Sequence, residues 1–464
     1  MTEDRNHLPH LHKFEVWGDR FVLDIPNSRV YKINDRMTRV IGLLQEGRTT
    51  EQITGDLGAR FPIEDIAADL RTLEKLGLLN GNGKGETVTP FTPPETLPLN
   101  TLDLQVSHHC NLDCKYCYAR GGSFGGEDKL MTAETAKKAV DFFIGQTDGK
   151  DKLCISFDGG EPLFNFDVIK EVARYGAEQA AKRDRRVFFN IGTNATAVDD
   201  DIAEFFAGLK FSPQISLDGK KSIHDEIRPF KNGKGSYDAL MKGIAKMQEK
   251  GVRVASRITI TPRNLYLKDS VELLHSLGAI RIAAFPATGV PGEYAFGPEH
   301  LEPLKEEYDK TAEFFLDTLF NKGERVCFSN FTDNIDALHK AKTLRYGCAA
   351  ARTFVSVDPN EDIYPCHRLV GNRKYRLGNL QKGIDHEKRR IFLDNHADSK
   401  EKCRTCWAKY LCGGGCLVEA DYANGDIKTP YDVSCEIFKY EKELSMMIYS
   451  KVLAKDKSLL KRII

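Results

Sequence analysis

The spacing of apolar positions changes three times along this chain, and each change marks a different kind of structure. Between residues 10 and 33, apolar and polar residues alternate in three short runs: HKFEVW, RFVLDI and RVYKIN. Gly18-Asp19 and Pro26-Asn27-Ser28 separate them, which predicts a three-stranded ribbon. The period then lengthens to that of a helix in RMTRVIGLLQEG, after the capping start Thr49-Thr50-Glu51-Gln52, and over residues 63–78, which stop at Gly77. A Gly-, Pro- and Thr-rich stretch, 83–99, reads as a linker. Strand-like and helix-like runs then take turns. The strands are LDLQVS (102–107), LCISF (153–157), VFFNIG (187–192), QISL (214–217), VASRITI (254–260) and IRIAAF (280–285). Helical runs lie near 133–146, 165–182, 199–208, 236–250, 267–277 and 299–321. Repeated strand–helix units predict an α/β fold with a parallel sheet. Six units fall short of a closed eight-stranded barrel, so a partial (β/α)6 barrel is expected, with its chemistry at the C-terminal strand ends. From 326 to 440 the helical period fades while glycine and cysteine become dense, as in a segment organised around metal. The tail, 441–464, reads as a helix, either docked on the body or basic and amphipathic enough to touch a membrane. The expected units are therefore 1–82, the linker, 100–325, 326–440 and the tail.

Composition narrows the class. The chain has 464 residues, 41% hydrophobic and 29% charged, enough for several domains of a soluble globular protein. Its formal net charge of zero removes the electrostatic case for nucleic acid or membrane as partner. MTEDRNHLPHLHKFEV lacks the apolar core of a secretory signal, and no run approaches a membrane span. A cytoplasmic location is expected, and in that reducing compartment grouped cysteines are more often metal ligands than disulfides.

Ten of the 12 cysteines fall into two spaced sets. Cys110, Cys114 and Cys117 lie inside VSHHCNLDCKYCYAR, just after the first barrel strand. Zinc sites pair CxxC with a distant second pair, which this triplet suits badly. Three thiolates on a 4Fe–4S cubane leave one iron open to bind and reduce a small molecule. The second set, Cys348, Cys366, Cys403, Cys406, Cys412, Cys416 and Cys435, is one thiolate short of two full cubanes. The second strand ends in Ser156-Phe157-Asp158-Gly159-Gly160-Glu161-Pro162. Adjacent glycines allow close backbone approach to a ligand, and a carboxylate there can hold an ammonium; an ordinary turn is the plainer reading. Asn194 follows the third strand, and Ser216 and Asp218 end the fourth. Arg228 and Arg257 read either as carboxylate contacts or as structural salt bridges, and Cys154 as core packing.

The CxxxCxxC triplet resembles the signature of the radical S-adenosylmethionine (SAM) superfamily. That resemblance implies a SAM-binding cluster on Cys110, Cys114 and Cys117, and a 5′-deoxyadenosyl radical made by reductive cleavage of SAM. Asp158-Gly159-Gly160-Glu161 resembles the family's motif for the SAM amino group. Asn194, Ser216 and Asp218 resemble its ribose and carboxylate contacts, and Tyr116 the aromatic beside the adenine. The spacing Cx2Cx5Cx3C with a further Cys 18 residues on resembles the SPASM extension of such enzymes. It implies one auxiliary cluster on Cys403, Cys406, Cys412 and Cys435, and another, nearer the SAM site, on Cys348, Cys366 and Cys416, for three 4Fe–4S clusters in all. Cys327 is a candidate fourth ligand of the nearer one, as is His367; without them an iron stays open for a substrate thiolate.

Residues 10–80 resemble a winged helix of the PqqD-like type, the recognition element of enzymes that modify ribosomally made peptides. It implies a precursor leader added as a strand beside RVYKIN, next to the helix at 63–78. The alternatives are a DNA-binding winged helix or a domain that only packs; against the first, IEDIAADLRTLEKLG begins acidic and offers no basic recognition helix. The order of these parts resembles the ranthipeptide maturases, including the six-cysteines-in-forty-five and freyrasin types. They join a cysteine sulfur to a non-α carbon and draw electrons from a donor such as flavodoxin or ferredoxin. Sactipeptide α-carbon thioethers, carbon–carbon crosslinks, epimerisation and sulfatase-type side-chain oxidation are alternatives within the superfamily. A non-enzymatic iron–sulfur carrier or sensor is the alternative outside it, though a carrier needs no SAM pocket.

Overall fold

The ribbon forms from β1 (Leu11–Val16), β2 (Asp19–Asp24) and β3 (Arg29–Ile33), antiparallel in the order β1-β2-β3. The structure, a computed structural model, describes residues 10–79, 91–288, 290 and 292–464; positions 83–90 of the expected linker lie outside them. Helix α1 (Asp35–Gln45) starts where the Asn34 side chain accepts from Met37 N. Thr49 and Gln52 form the reciprocal capping box that opens α2 (Thr50–Gly58), and α3 (Ile63–Lys75) follows. The central strand β2 is buried on both faces, so Phe21, Val22 and Leu23 are all fully covered. Val22 packs with Met37, Ile41, Leu44, Ile53 and Leu70 of the three helices. Phe21 and Leu23 point the other way, Leu23 into a cluster with Leu338, Leu411 and Met446 of the body. Trp17 Nε1 donates to Asp309 and His12 Nε2 meets Glu443, both near 3 Å, while the His12 ring stacks on Trp407 at 4.1 Å. The N-terminal unit is thus wedged onto the body by its own sheet.

The body is built on β4 (Thr101–Ser107), β5 (Lys152–Gly159), β6 (Arg186–Thr193), β7 (Ser212–Ser216), β8 (Ala255–Ile260) and β9 (Arg281–Pro286), parallel neighbours in that order. Between and after them run α4 (Ala133–Ile144), α5 (Phe166–Ala181), α6 (Asp200–Leu209), α7 (Lys221–Ile227), α8 (Tyr237–Glu249), α9 (Leu267–Ser276), α10 (Leu301–Asp317) and α11 (Ser329–His339). Strand β4 alternates as its sequence does, yet Leu102, Leu104 and Val106 and also Asp103, Gln105 and Ser107 are fully buried. Its polar face is turned into the barrel interior, not to solvent.

The sheet does not stop at six strands. After residue 350 come β10 (Phe354–Val357), β11 (Asp362–Tyr364), β12 (Gly378–Asn379) and β13 (Gly383–Ile384). Strand β10 pairs parallel with β4, and the next three continue antiparallel, giving one ten-stranded mixed sheet. The six expected parallel strands are present in order, and the cysteine-rich segment adds four more that were not expected: two- to four-residue strands are too short to leave a period in the sequence. Short helices α12 (His386–Leu393), α13 (Glu401–Arg404), α14 (Lys409–Cys412) and α15 (Leu417–Asn424) follow; α13 holds Cys403, α14 ends on Cys412, and Cys416 stands at the start of α15. The last long helix, α16, runs Asp432–Lys455, so it holds Cys435 as well as most of the tail, and it buries Leu444, Met446, Met447, Ile448 and Val452. Among the described residues no helix is long and apolar enough to cross a membrane.

Leu23→Ala removes a fully buried side chain from the seam between ribbon and body. It should cost about 2–5 kcal/mol and raise hydrogen exchange in both β2 and α16. Ile53→Ala, inside the N-terminal core, should raise exchange there and leave α16 protected.

Candidate active site

The loop after β4 is shaped by its neighbours. Asp113 N donates to Pro229 O and Lys115 N to Ile227 O, pinning the cysteine loop to the segment after α7. From the other side, Gly160 N donates to Ser107 O and Glu161 N to His109 O, each at 2.8 Å. A Cβ on Gly159 would stand 2.2 Å from Ser107 O, and one on Gly160 2.4 Å from His109 O, so only glycines let the two loops close this far.

Between these loops and the strand ends lies a cavity of about 200 Å³. Cys110, Cys114, Cys117, Tyr116, Asp158, Gly159, Gly160, Asn194 and Ser216 line it, as do Arg228 and Arg257. Two expected contacts do not. Glu161 is fully buried behind the turn, where its carboxylate accepts from Thr193 Oγ1 (2.7 Å), Asn194 N (2.8 Å) and Leu163 N (3.1 Å). It staples β6 to the Gly-Gly turn, and burial lifts it to about 7 against those three donors. Asp218 is also turned away: it accepts from the Tyr116 hydroxyl, from Arg228 Nε at 2.6 Å and from Thr259 N at 2.8 Å. The residue types at these strand ends were legible; the direction of their side chains was not.

Asp218 also separates the two arginines. Arg228 is committed to it, lies over the Tyr116 ring at 5.1 Å and reaches Cys114 Sγ at 3.8 Å. Arg257 has no ion pair among the described residues and stacks over Phe285 at 4.7 Å, at the cavity wall. Asn194 Nδ2 approaches Cys110 Sγ at 3.9 Å while its Oδ1 is held by Thr196.

The thiols form three electrostatic groups. Burial pushes Cys110 up to about 11 and Cys114 to about 12, and within this triplet each is raised further by Cys117. Cys435 is pushed up to about 12 by burial and then by Cys412, Cys403 and Cys406. Cys366 is likewise raised to about 12 by burial, then by Cys416 and Cys348. Cys327 borders β9 instead, its carbonyl accepting from Ile282 N, and Cys154 sits within β5 near Asn190. Among the described residues no three His, Cys, Asp or Glu side chains converge to hold a single metal ion. Thiolates around a polynuclear cluster stand wider, because each binds its own iron, and grouped, desolvated thiols that repel one another's charge fit such a cationic core.

Several cavity residues carried no signal in the sequence: Tyr118, Gln214, Phe285, Thr288, Arg368 and Glu419. Arg368 is the most telling. Its Nη1 contacts Cys416 Sγ at 3.6 Å and Glu419 at 3.2 Å, and its Nη2 donates to Thr288 O at 2.9 Å, so it joins the Cys348/Cys366/Cys416 group to the cavity wall. Its position two residues after Cys366 was the only available hint. His367 packs beside Tyr118 and Phe354 and does not line the cavity. A second cavity, of about 270 Å³, shares Phe285, Pro286, Thr288 and Glu419 with the first and opens between α11 and α16.

The family described as the radical SAM superfamily matches residues 104–277. An uncharacterized protein of Methanocaldococcus jannaschii is 30% identical over 311 residues, 66% of this chain and 94% of its own. A cysteine-type anaerobic sulfatase-maturating enzyme of Clostridium novyi is 28% identical over 386 residues, 77% of this chain and 98% of that one. The solved structure of native anSMEcpe with bound AdoMet and Kp18Cys peptide shares the fold, with TM-score 0.67 at 20% identity over 77% of this chain and 99% of that chain. The cysteine loop, the Gly-Gly turn and the strand ends that face them therefore belong to a radical SAM enzyme, and the chain is a member of that superfamily.

A pair of carboxyl groups, Asp103 and Asp158, lies beside the cavity. Asp103 accepts from Ser356 Oγ and Gln105 Nε2 through one oxygen, while its other oxygen has no donor among the described residues. Burial and then the neighbouring Asp158 raise it well above the carboxylate range, and burial raises Asp158 too. A proton on Asp103 donated to Asp158 satisfies both. The folded pair holds that proton more tightly than the unfolded chain, so its stabilising contribution is complete below the ordinary carboxylate pKa and is lost as pH rises through the raised one. Thermal midpoints of the wild type should fall with pH over that interval. Asp103→Asn, which keeps a donor without titrating, should flatten the profile; identical profiles would remove the shared proton.

Proposed function

We propose that this enzyme matures a ribosomally made, Cys-rich precursor peptide in the cytoplasm, joining a cysteine sulfur to a non-α carbon of an acceptor residue. The observation that carries it is the group of three thiols, Cys348, Cys366 and Cys416, tied to the cavity wall through Arg368, while Cys327 lies beside the start of β9. Such a group leaves room for a thiolate from the substrate. Cys403, Cys406, Cys412 and Cys435 would hold a complete auxiliary cluster. A 4Fe–4S cluster on Cys110, Cys114 and Cys117, with SAM bound, would supply the 5′-deoxyadenosyl radical that takes a hydrogen from carbon.

The chain's own residues bind and position. Gly159 and Gly160 bare their backbone to the SAM ammonium, and Asn194 and Ser216 offer polar contacts to its ribose. Tyr116, held by Asp218 and Arg228, forms the wall for the adenine. Arg257, with no ion pair among the described residues, is the better placed arginine for the SAM carboxylate. The second cavity continues the first toward the surface and supports a path for an extended peptide. Strand β3, with Arg29 and Lys32 exposed, offers an edge to which a leader adds as a strand. Nearly a quarter of this chain lies outside the match to the C. novyi enzyme, of which 98% is spanned, which supports an added recognition unit. A flavodoxin or ferredoxin is the natural electron donor.

A second reading is oxidation of a protein side chain, favoured by the sulfatase-maturating relatives. Reduced enzyme given SAM and a Cys-rich precursor should release 5′-deoxyadenosine and yield a peptide lighter by two hydrogens per crosslink; Cys110→Ala should abolish both. An unchanged precursor mass, with oxidation of a sulfatase-type peptide instead, would transfer the assignment to the second reading.

A further inference from the structure

Lys400 is a buried cation without a carboxylate. It is 3% exposed and sits just ahead of α13, which carries Cys403. Its Nζ donates to Gly414 O at 2.7 Å, and no Asp or Glu pairs with it among the described residues. Gly414 is the midpoint of Cys412-Gly413-Gly414-Gly415-Cys416, the loop that gives one thiol to each auxiliary group. The Lys400 side chain lies along this loop, with Cδ, Cε and Nζ each 3.5 Å from where a Cβ on Gly414 would stand. It also lines a small cavity with Cys348, Gly413 and Gly415. Burial disfavours its charge, and the groups that favour it are Cys403, Cys412, Cys348 and Cys416, two thiols from each group.

A buried ammonium needs a nearby negative charge, and here the groups within reach are these four cysteines, which become thiolates when the two groups bind clusters. We infer that Lys400 is a positioning residue set between the two auxiliary cluster sites, where its charge holds the 412–416 loop and raises the reduction potentials of both clusters together. The inference rests on the maturase reading, in which both groups hold clusters. Reduction adds one negative charge to a cluster, so a fixed cation nearby stabilises the reduced form, and its attraction falls with distance. A single cation between two sites therefore acts on both.

The test compares the full-length reconstituted wild type with Lys400→Gln, which keeps a donor toward Gly414 O but loses the charge, and Lys400→Arg, which keeps the charge. Iron and sulfide per chain are measured, then midpoint potentials by EPR-monitored redox titration. With iron retained, Lys400→Gln should shift both auxiliary potentials to more negative values, while Lys400→Arg stays near wild type. Loss of auxiliary iron in Lys400→Gln alone would equally require the charge. Full iron with unmoved potentials, or movement of only one, would overturn the role of Lys400 and leave the maturase reading intact. A wild type holding iron for one cluster only would overturn both.

Discussion

Everything at the centre of this protein depends on how closely two loops can approach. The turn after β5 is hydrogen-bonded to Ser107 and His109, immediately before Cys110, and it reaches them because Gly159 and Gly160 carry no side chain. Glu161 then ties the turn to the end of β6 through Thr193 and Asn194. The cysteine loop, the Gly-Gly turn and Asn194 are therefore one hydrogen-bonded assembly, so a disturbance at any of them moves the others. The burial of Glu161, costly for a carboxylate, is offset by the three donors that fix it.

A second constraint brings the distant part of the chain to the same place. Strand β10 adds to β4 in parallel, with Ser356 opposite Asp103, although roughly half of the chain separates them in sequence. That pairing sets the cysteine-rich segment beside the first barrel strand. Arg368 completes the link by touching Cys416 and the backbone of Thr288. The Asp103–Ser356 hydrogen bond lies within this junction, so the shared proton of Asp103 and Asp158 sits where barrel and C-terminal segment meet.

Much of this was legible in the sequence because it is local. The six barrel strands, the ribbon and the helices that separate them follow from apolar spacing and turn residues, and most differ from the observed elements by only one or two positions. Two sets of cysteines were legible from spacing, and the division of the second set into two groups came only from its resemblance to the SPASM pattern. Contacts made across the fold were not legible. Strands β10 to β13 leave no period. The burial of Asp103, Gln105 and Ser107 on the polar face of LDLQVS depends on the segments that cover it. Glu161 and Asp218 were readable as carboxylates at strand ends, but their partners, Thr193 and Arg228, come from other segments and turn them away from the cavity. Thr288 and Glu419 belong to the site only through packing between segments far apart in the chain, whereas Tyr118 simply follows Cys117 on the cysteine loop.

The burial of β2 on both faces has a consequence for how such enzymes can be recombined. A unit joined only by a tether can be exchanged between proteins by cutting the tether. Here the ribbon's outer face is a wall of the body, with Leu23 against Met446 and His12 stacked on Trp407, next to Cys406. A chimera that replaced residues 10–79 would expose that wall unless α16 and the Cys406–Trp407 turn were exchanged with it. Natural shuffling faces the same barrier, so the ribbon and the distal thiol group are expected to be inherited as a pair.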